Sequence, residues 1–154
     1  MRFSKKFMLA IEAVTDVAYN AESRPLRSQE INKHQRIPPR YLEPVLQELV
    51  HAGILGGVRG PRGGYRLARE RKNISLAEIA QAVENTEIDR GLIDLAAESP
   101  LGQEIVLPLC SDLAAKWTKQ LQTISIEDLC LSARRAGVEK TAVSDGGVKS
   151  EEMQ

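Results

Sequence analysis

Residues 37–69, IPPRYLEPVLQELVHAGILGGVRGPRGGYRLAR, admit few folds. Leu42, Val45, Leu46, Leu49 and Val50 recur at i, i+3, i+4, i+7 and i+8, the apolar stripe of an amphipathic helix. Pro38 and Pro39 suit its first turn, where no N–H is needed. Gly53 stands where a glycine ends a helix. ILGGVR and GYRLAR follow at once, each with β-branched or aromatic residues, and GPRG between them is turn chemistry. The segment therefore predicts a helix running into a β-hairpin. Pro44 falls inside the helix, where it removes a hydrogen bond and crowds the Arg40 carbonyl. A kink or late start that re-aims Arg40 and Tyr41 is expected there.

The flanking sequence is helical. From Ser4 to about Asn20, Phe7, Ile11, Val14 and Val17/Ala18 form a stripe that Met8 and Ala10 widen. AESRPL breaks the pattern, and Ser28 is placed to N-cap a short helix, SQEINKHQ, that buries Ile31. QRIPPR then connects it tightly to the patterned helix. Two short helices so joined, the second with a polar and aromatic outer face, make a helix-turn-helix, and the hairpin is its wing. After the wing, Ser75 and Glu78 stand in capping-box register for NISLAEIAQAVEN, with Leu76, Ile79, Ala80 and Val83 buried.

Residues 85–98 have weak periodicity and read as a connector. Ser99-Pro100 then opens a long helix whose Leu101, Ile105, Leu109, Leu113, Trp117 and Leu121 run four apart. Pro108 should kink or restart it. So long a stripe finds little core in the small unit before it, and its expected use is pairing with a second copy of the chain. A last helix, SIEDLCLSARR, ends before Gly137, and the polar residues 138–154 are expected to be disordered.

Charge sharpens the function. Residues 1–74 hold fourteen Lys and Arg against seven Asp and Glu, a net +7, and residues 75–154 carry −7. A basic half suits a polyanion. With 4% aromatic residues, the core must be aliphatic. No apolar run spans a membrane, and Glu12 and Asp16 interrupt the N-terminal apolar run too early for a signal peptide, so a cytoplasmic chain is expected. Cys110 and Cys130 are too few for a disulfide framework and are read as buried packing residues. No Ser-His-Asp ordering with elbow glycines and no HExxH occurs, so an enzyme is not expected.

Two constellations face outward in this reading. Arg59 and Arg62 flank Gly60-Pro61, so a narrow, close-approaching loop presents two guanidiniums to phosphate or a minor groove. No Lys-Ser/Thr pair or helix follows, as a nucleotide-phosphate loop would require. The outer helix face carries Arg40, Tyr41, Glu43, Gln47, Glu48 and His51. Arginine can bridge guanine O6 and N7, a carboxylate can accept from cytosine N4, and tyrosine can reach phosphate or a thymine methyl.

MRFSKKFMLAIEAVTDVA, IPPRYLEPVLQELVHAGIL, GVRGPRGGYRLAR and ISLAEIAQAVE resemble the successive signatures of the IscR-type winged-helix transcriptional regulators, the Rrf2 family. LQTISIEDL is similar to the close of that family's dimerisation helix. The resemblance implies a mainly α fold with a small β-hairpin: a winged helix-turn-helix over 1–84, a connector or effector loop over 85–98, dimerisation helices over 99–136 and a tail over 137–154. It implies a homodimeric repressor, binding double-stranded DNA through Arg40, Tyr41 and Glu43 on the recognition helix and Arg59, Gly60, Pro61 and Arg62 on the wing. Pro44 departs from the glutamine expected there. Iron–sulfur members carry three cysteines in the loop before the dimerisation helix, and the matching span, Thr86 to Leu101, has none. No cluster and no other cofactor is expected; a small-molecule or protein effector would take its place, in a pocket between that span and the wing domain. The rival reading is a protein-interaction module, or a regulator controlled by a partner enzyme, with weakened direct DNA readout.

Overall fold

A computed structural model describes residues 3–84 and 97–141. The connector over 85–98 lies almost wholly outside them, as does most of the C-terminal tail. Helix α1 spans Lys5–Asn20, α2 Ser28–Gln35 and α3 Pro39–His51. Strands β1 (Leu55–Val58) and β2 (Gly64–Leu67) pair antiparallel, Leu55 opposite Leu67 and Val58 opposite Gly64. A 3₁₀ turn, Arg71–Asn73, leads to α4 (Leu76–Val83). After residue 97 come a π-helical turn, Gly102–Val106, then α5 (Leu107–Gln122) and α6 (Ile126–Arg135). Mainly helical with one hairpin, this is the winged-helix fold that the pattern predicts. Among the described residues, no helix is long and apolar enough to cross a membrane.

Local chemistry sets most helix ends. Ser4 Oγ accepts the Phe7 N–H at 3.0 Å and starts α1. Ser75 and Ser125 open α4 and α6 with capping boxes closed by Glu78 and Asp128. At the end of α3, Gly53 (φ 72°) donates to the Val50 carbonyl and Ile54 to that of Leu49, a Schellman closure. Ser28 is not the N-cap of α2: it is the first helical residue, and Arg27 is the cap. Glu30 accounts for the shift. Its carboxylate accepts the Arg27 N–H at 2.8 Å while Arg24 grips it through two bonds of 3.1 and 2.6 Å.

The two interior prolines behave differently. Pro44 neither breaks nor delays α3, which is continuous through it. The buried stripe Leu42, Val45, Leu46 and Leu49 holds both sides of the proline to the core, and one missing bond on the exposed face does not undo that. Full burial of each leucine contributes roughly 1.5–3 kcal/mol. Pro108 is preceded instead by the π turn, in which the Leu107 N–H reaches the Gly102 carbonyl. A wider turn relieves the crowding that a proline ring imposes on the turn before it.

One core joins the six α-helices and the hairpin. Phe7, Val14 and Val17 of α1 meet the α3 stripe, Leu26, Ile31, Ile54, Leu55, Ile74 and Ile79. Leu121, Ile126 and Cys130 from the C-terminal helices belong to the same core, and backbone bonds tie the entries of α4 and α6 together, Leu76 N to Ile124 O and Ile126 N to Ile74 O, both 2.9 Å. Only the C-terminal end of the long stripe finds cover, Trp117 half-buried and Leu121 buried. Leu101, Ile105, Leu109 and Leu113 are 54–72% exposed. Met8, expected to widen the α1 stripe inward, is exposed instead. Cys110 is also exposed, contrary to expectation, because α5 offers that face nothing to pack on; Cys130 is buried as expected.

Candidate nucleic-acid interface

The wing is built from backbone clearances. A Cβ on Gly63 would lie 2.2 Å from the Val58 carbonyl oxygen, so only glycine closes the turn. A Cβ on Gly64 would lie 2.6 Å from the Leu26 carbonyl oxygen. That clearance lets Leu26 and Tyr65 exchange two short backbone bonds, 2.8 and 2.7 Å, which stitch the wing to the chain entering α2. From Arg27 a guanidinium N–H reaches the Pro61 carbonyl at 2.8 Å and braces the tip.

Arg59, Gly60, Pro61 and Arg62 are all exposed at that tip. Neither Arg59 nor Arg62 makes a side-chain hydrogen bond or ion pair among the described residues, whereas Arg24, Arg69 and Arg71 are matched to Glu30, Glu78 and Glu127. Arg36, Arg40 and Arg66 likewise make no ion pair among the described residues, so what sets Arg59 and Arg62 apart is their place on an exposed, braced tip. Such guanidiniums suit phosphate oxygens, with no internal pair to break first.

The start of α3 supplies the other half. Arg40, Tyr41, Glu43, Pro44 and Gln47 are exposed. Arg40 lies over the Tyr41 ring, 4.8 Å from its centroid, and donates to the Tyr41 hydroxyl at 3.1 Å. The pair is held together before any partner arrives. Glu48, which the sequence places on the same outer face, turns away to bond Lys6 of α1 at 2.8 Å. The structure also assembles residues that sequence reasoning missed. Arg27, Ser28 and Gln29 at the start of α2 share a groove of about 670 Å³ with the wing. The only sequence signal for them is an arginine beside a helix start.

Cys110 is exposed on α5 and Cys130 is buried in the core, and burial pushes the Cys130 thiol up, away from the thiolate a cluster needs. Among the described residues no group of three His, Cys, Asp or Glu could hold a metal ion. The sequence has no third cysteine. These residues do not fit an iron–sulfur centre of the thiolate-held kind.

Comparison with known proteins agrees with the geometry. Residues 3–132 match the family model described as "Rrf2: Iron-dependent Transcriptional regulator". A Synechocystis sp. protein, slr0846, assigned as an HTH-type transcriptional regulator, is 33% identical over 135 residues, 87% of this chain and 90% of that protein. The HTH-type transcriptional regulator IscR of Escherichia coli is 36% identical over 86 residues, 56% of this chain, and that match spans only 53% of IscR. Among solved structures, T. potens IscR superposes with a TM-score of 0.69 at 22% identity, covering 92% of this chain and 94% of that one. CymR, the global cysteine regulator of B. subtilis, gives 0.63 at 21% identity, with 86% and 98% covered. A winged fold, exposed and uncompensated arginines and a family match over most of the length lead to one conclusion: the chain belongs to the Rrf2 family of transcriptional regulators and is not an enzyme.

Proposed function

We propose that the chain is a cytoplasmic, homodimeric, sequence-specific DNA-binding repressor that works without an iron–sulfur cluster. The observation that carries this reading is the pair of unmatched arginines, Arg59 and Arg62, on a braced wing of a winged-helix fold whose α3 exposes Arg40, Tyr41 and Glu43. Residues 1–84 act as the DNA-binding part and 99–136 as the dimerising part. The α3 helices of a dimer enter successive major grooves of an imperfect palindrome, with half-sites one or more turns (~10 bp) apart. Gly60 and Pro61 bring the wing backbone close to phosphate or minor groove. The uncovered Leu101–Leu113 stripe is the face that a second copy covers.

Selection of bound sequences from a random DNA pool tests the reading directly: recovery of a two-fold-related motif is expected. On that motif, Arg59→Ala with Arg62→Ala removes two arginines from each wing of the dimer and reduces the salt slope of binding by about four units. An unchanged slope removes the wing from the interface. One observation favours a second reading, a partner-controlled regulator with weakened base readout. Pro44 stands exposed on the same face of α3 and has no side-chain hydrogen-bonding group. Binding indifferent to sequence would decide for it.

A further inference from the structure

The wing is poorly equipped to hold its own shape. Its two strands have four residues each, and a two-stranded hairpin is at best marginally stable by itself. Five of the nine residues from Gly56 to Gly64 are glycine, which gives this backbone wide conformational freedom. The core takes up Leu55, with Tyr65 and Leu67 packed against it, but nothing of the tip. The Gly63 N–H bonds the Gly60 carbonyl at 2.9 Å, which closes the turn without aiming it.

What aims the turn comes from outside the hairpin. The chain entering α2 holds the wing at two levels. Leu26 and Tyr65 exchange their backbone bonds partway along β2, and the next residue, Arg27, reaches on to the Pro61 carbonyl at 2.8 Å. Pro61 lies inside the turn, between Arg59 and Arg62 in the chain. No other side-chain hydrogen bond among the described residues reaches the tip.

Arg27 is itself held. Its backbone caps α2, its N–H is bonded by Glu30 at 2.8 Å, and Arg24 grips that carboxylate from the other side. Helix α2 packs against α3, and its Ile31 shares the core with Leu42 and Leu46. One mechanical path therefore runs from the recognition helix through α2 and Arg27 to the wing tip.

We propose that Arg27 is a positioning residue for DNA binding: it fixes the wing tip relative to α3, so that Arg59 and Arg62 meet their partner without first being ordered. The inference rests on the DNA-binding reading and deepens it. Freedom lost on binding subtracts from affinity, and a tip ordered beforehand loses less. Arginine suits the task, since its planar fork on a long stem is pre-organised and gives up little freedom for each bond it forms. In this role Arg27 acts through the two wing arginines and contacts no phosphate itself.

The test uses the full chain and the DNA motif selected with it. In the free chain, Arg27→Ala should lower the backbone order parameters at Gly60, Arg62 and Gly63. Those at Leu55 and Leu67, and the melting temperature, should stay as they are, because Arg27 is exposed and the core is untouched. On DNA the variant should bind about tenfold more weakly with its salt slope unaltered. In a chain that already carries Arg59→Ala and Arg62→Ala, the same change should cost less than about twofold, since no wing arginine is left to position. An unmoved tip in the free chain overturns the proposal. An equal loss in both backgrounds overturns it too, as does a slope lower by about two units, one for each wing of the dimer; either result makes Arg27 a phosphate contact in its own right. The DNA-binding reading fails in a different way. Arg59→Ala with Arg62→Ala then leaves binding untouched, and Arg27 loses its role at DNA even if the tip loosens.

Discussion

Helices α3 and α5 each carry an apolar stripe, spaced i, i+3, i+4 and i+7 in α3 and every fourth residue in α5, and the two stripes meet opposite fates. In α3, Leu42, Leu46 and Leu49 are completely buried, but in α5, Leu109 and Leu113 remain more than half exposed. The difference is one of neighbours. Helix α3 has α1, α2, α4 and β1 against its stripe, while α5 meets the body only near Trp117 and Leu121. A periodic stripe therefore demands a cover without saying which molecule supplies it. In α3 the cover is this chain; in α5 we assign it to a second copy.

The sharpest way to break the comparison is to charge the uncovered stripe. Leu109→Lys with Leu113→Lys should convert a dimer to a monomer in sedimentation and lower operator affinity about 10²-fold or more, since the two half-sites are no longer bound as one. A dimer that survives would send the stripe to another use. Leu46→Ala makes the reciprocal test inside α3. It should cost about 3 kcal/mol in urea unfolding at fixed protein concentration, as expected of a cavity in a closed core. Smaller effects test the supports. Ser75→Ala removes the cap that receives the Glu78 N–H and should cost about 1 kcal/mol, without changing the dimer.

The smallest expected effect is a pH dependence on the α2 side. Arg24 holds the Glu30 carboxyl below its ordinary value of 4.5. Its contribution is therefore present above that value and is lost as pH falls through the lowered one. The drop in melting temperature between pH 6 and pH 3 should be smaller in Glu30→Gln than in the unaltered chain. An equal drop in both would mean that Arg24 is not what anchors the start of α2.

Part of the candidate interface is legible in the residue types themselves. RYLE and GVRGPRGGY mark an exposed helix face and a tight turn, and the folded chain presents Arg40, Tyr41, Glu43, Arg59 and Arg62 outward. What periodicity cannot give is which outward residue is spoken for. Glu48 shares the outer face of α3 by its spacing, yet it is tied to Lys6, 42 residues away. Arg27 reads as one more surface charge, yet it braces Pro61, 34 residues on.

By itself the sequence determined the elements and their ends. Caps at Ser4, Ser75 and Ser125, the closing Gly53 and Gly137, and the turn at Gly63 act within a few residues, where neighbours along the chain decide the backbone. Tertiary structure alone decided the fates of chemically similar side chains. It buried Cys130 and exposed Cys110, matched Arg71 and left Arg59 unmatched, and set Asp16 against His34. Each of these depends on contact between residues distant in sequence, and burial and hydrogen bonding are properties of the packed chain rather than of any local pattern.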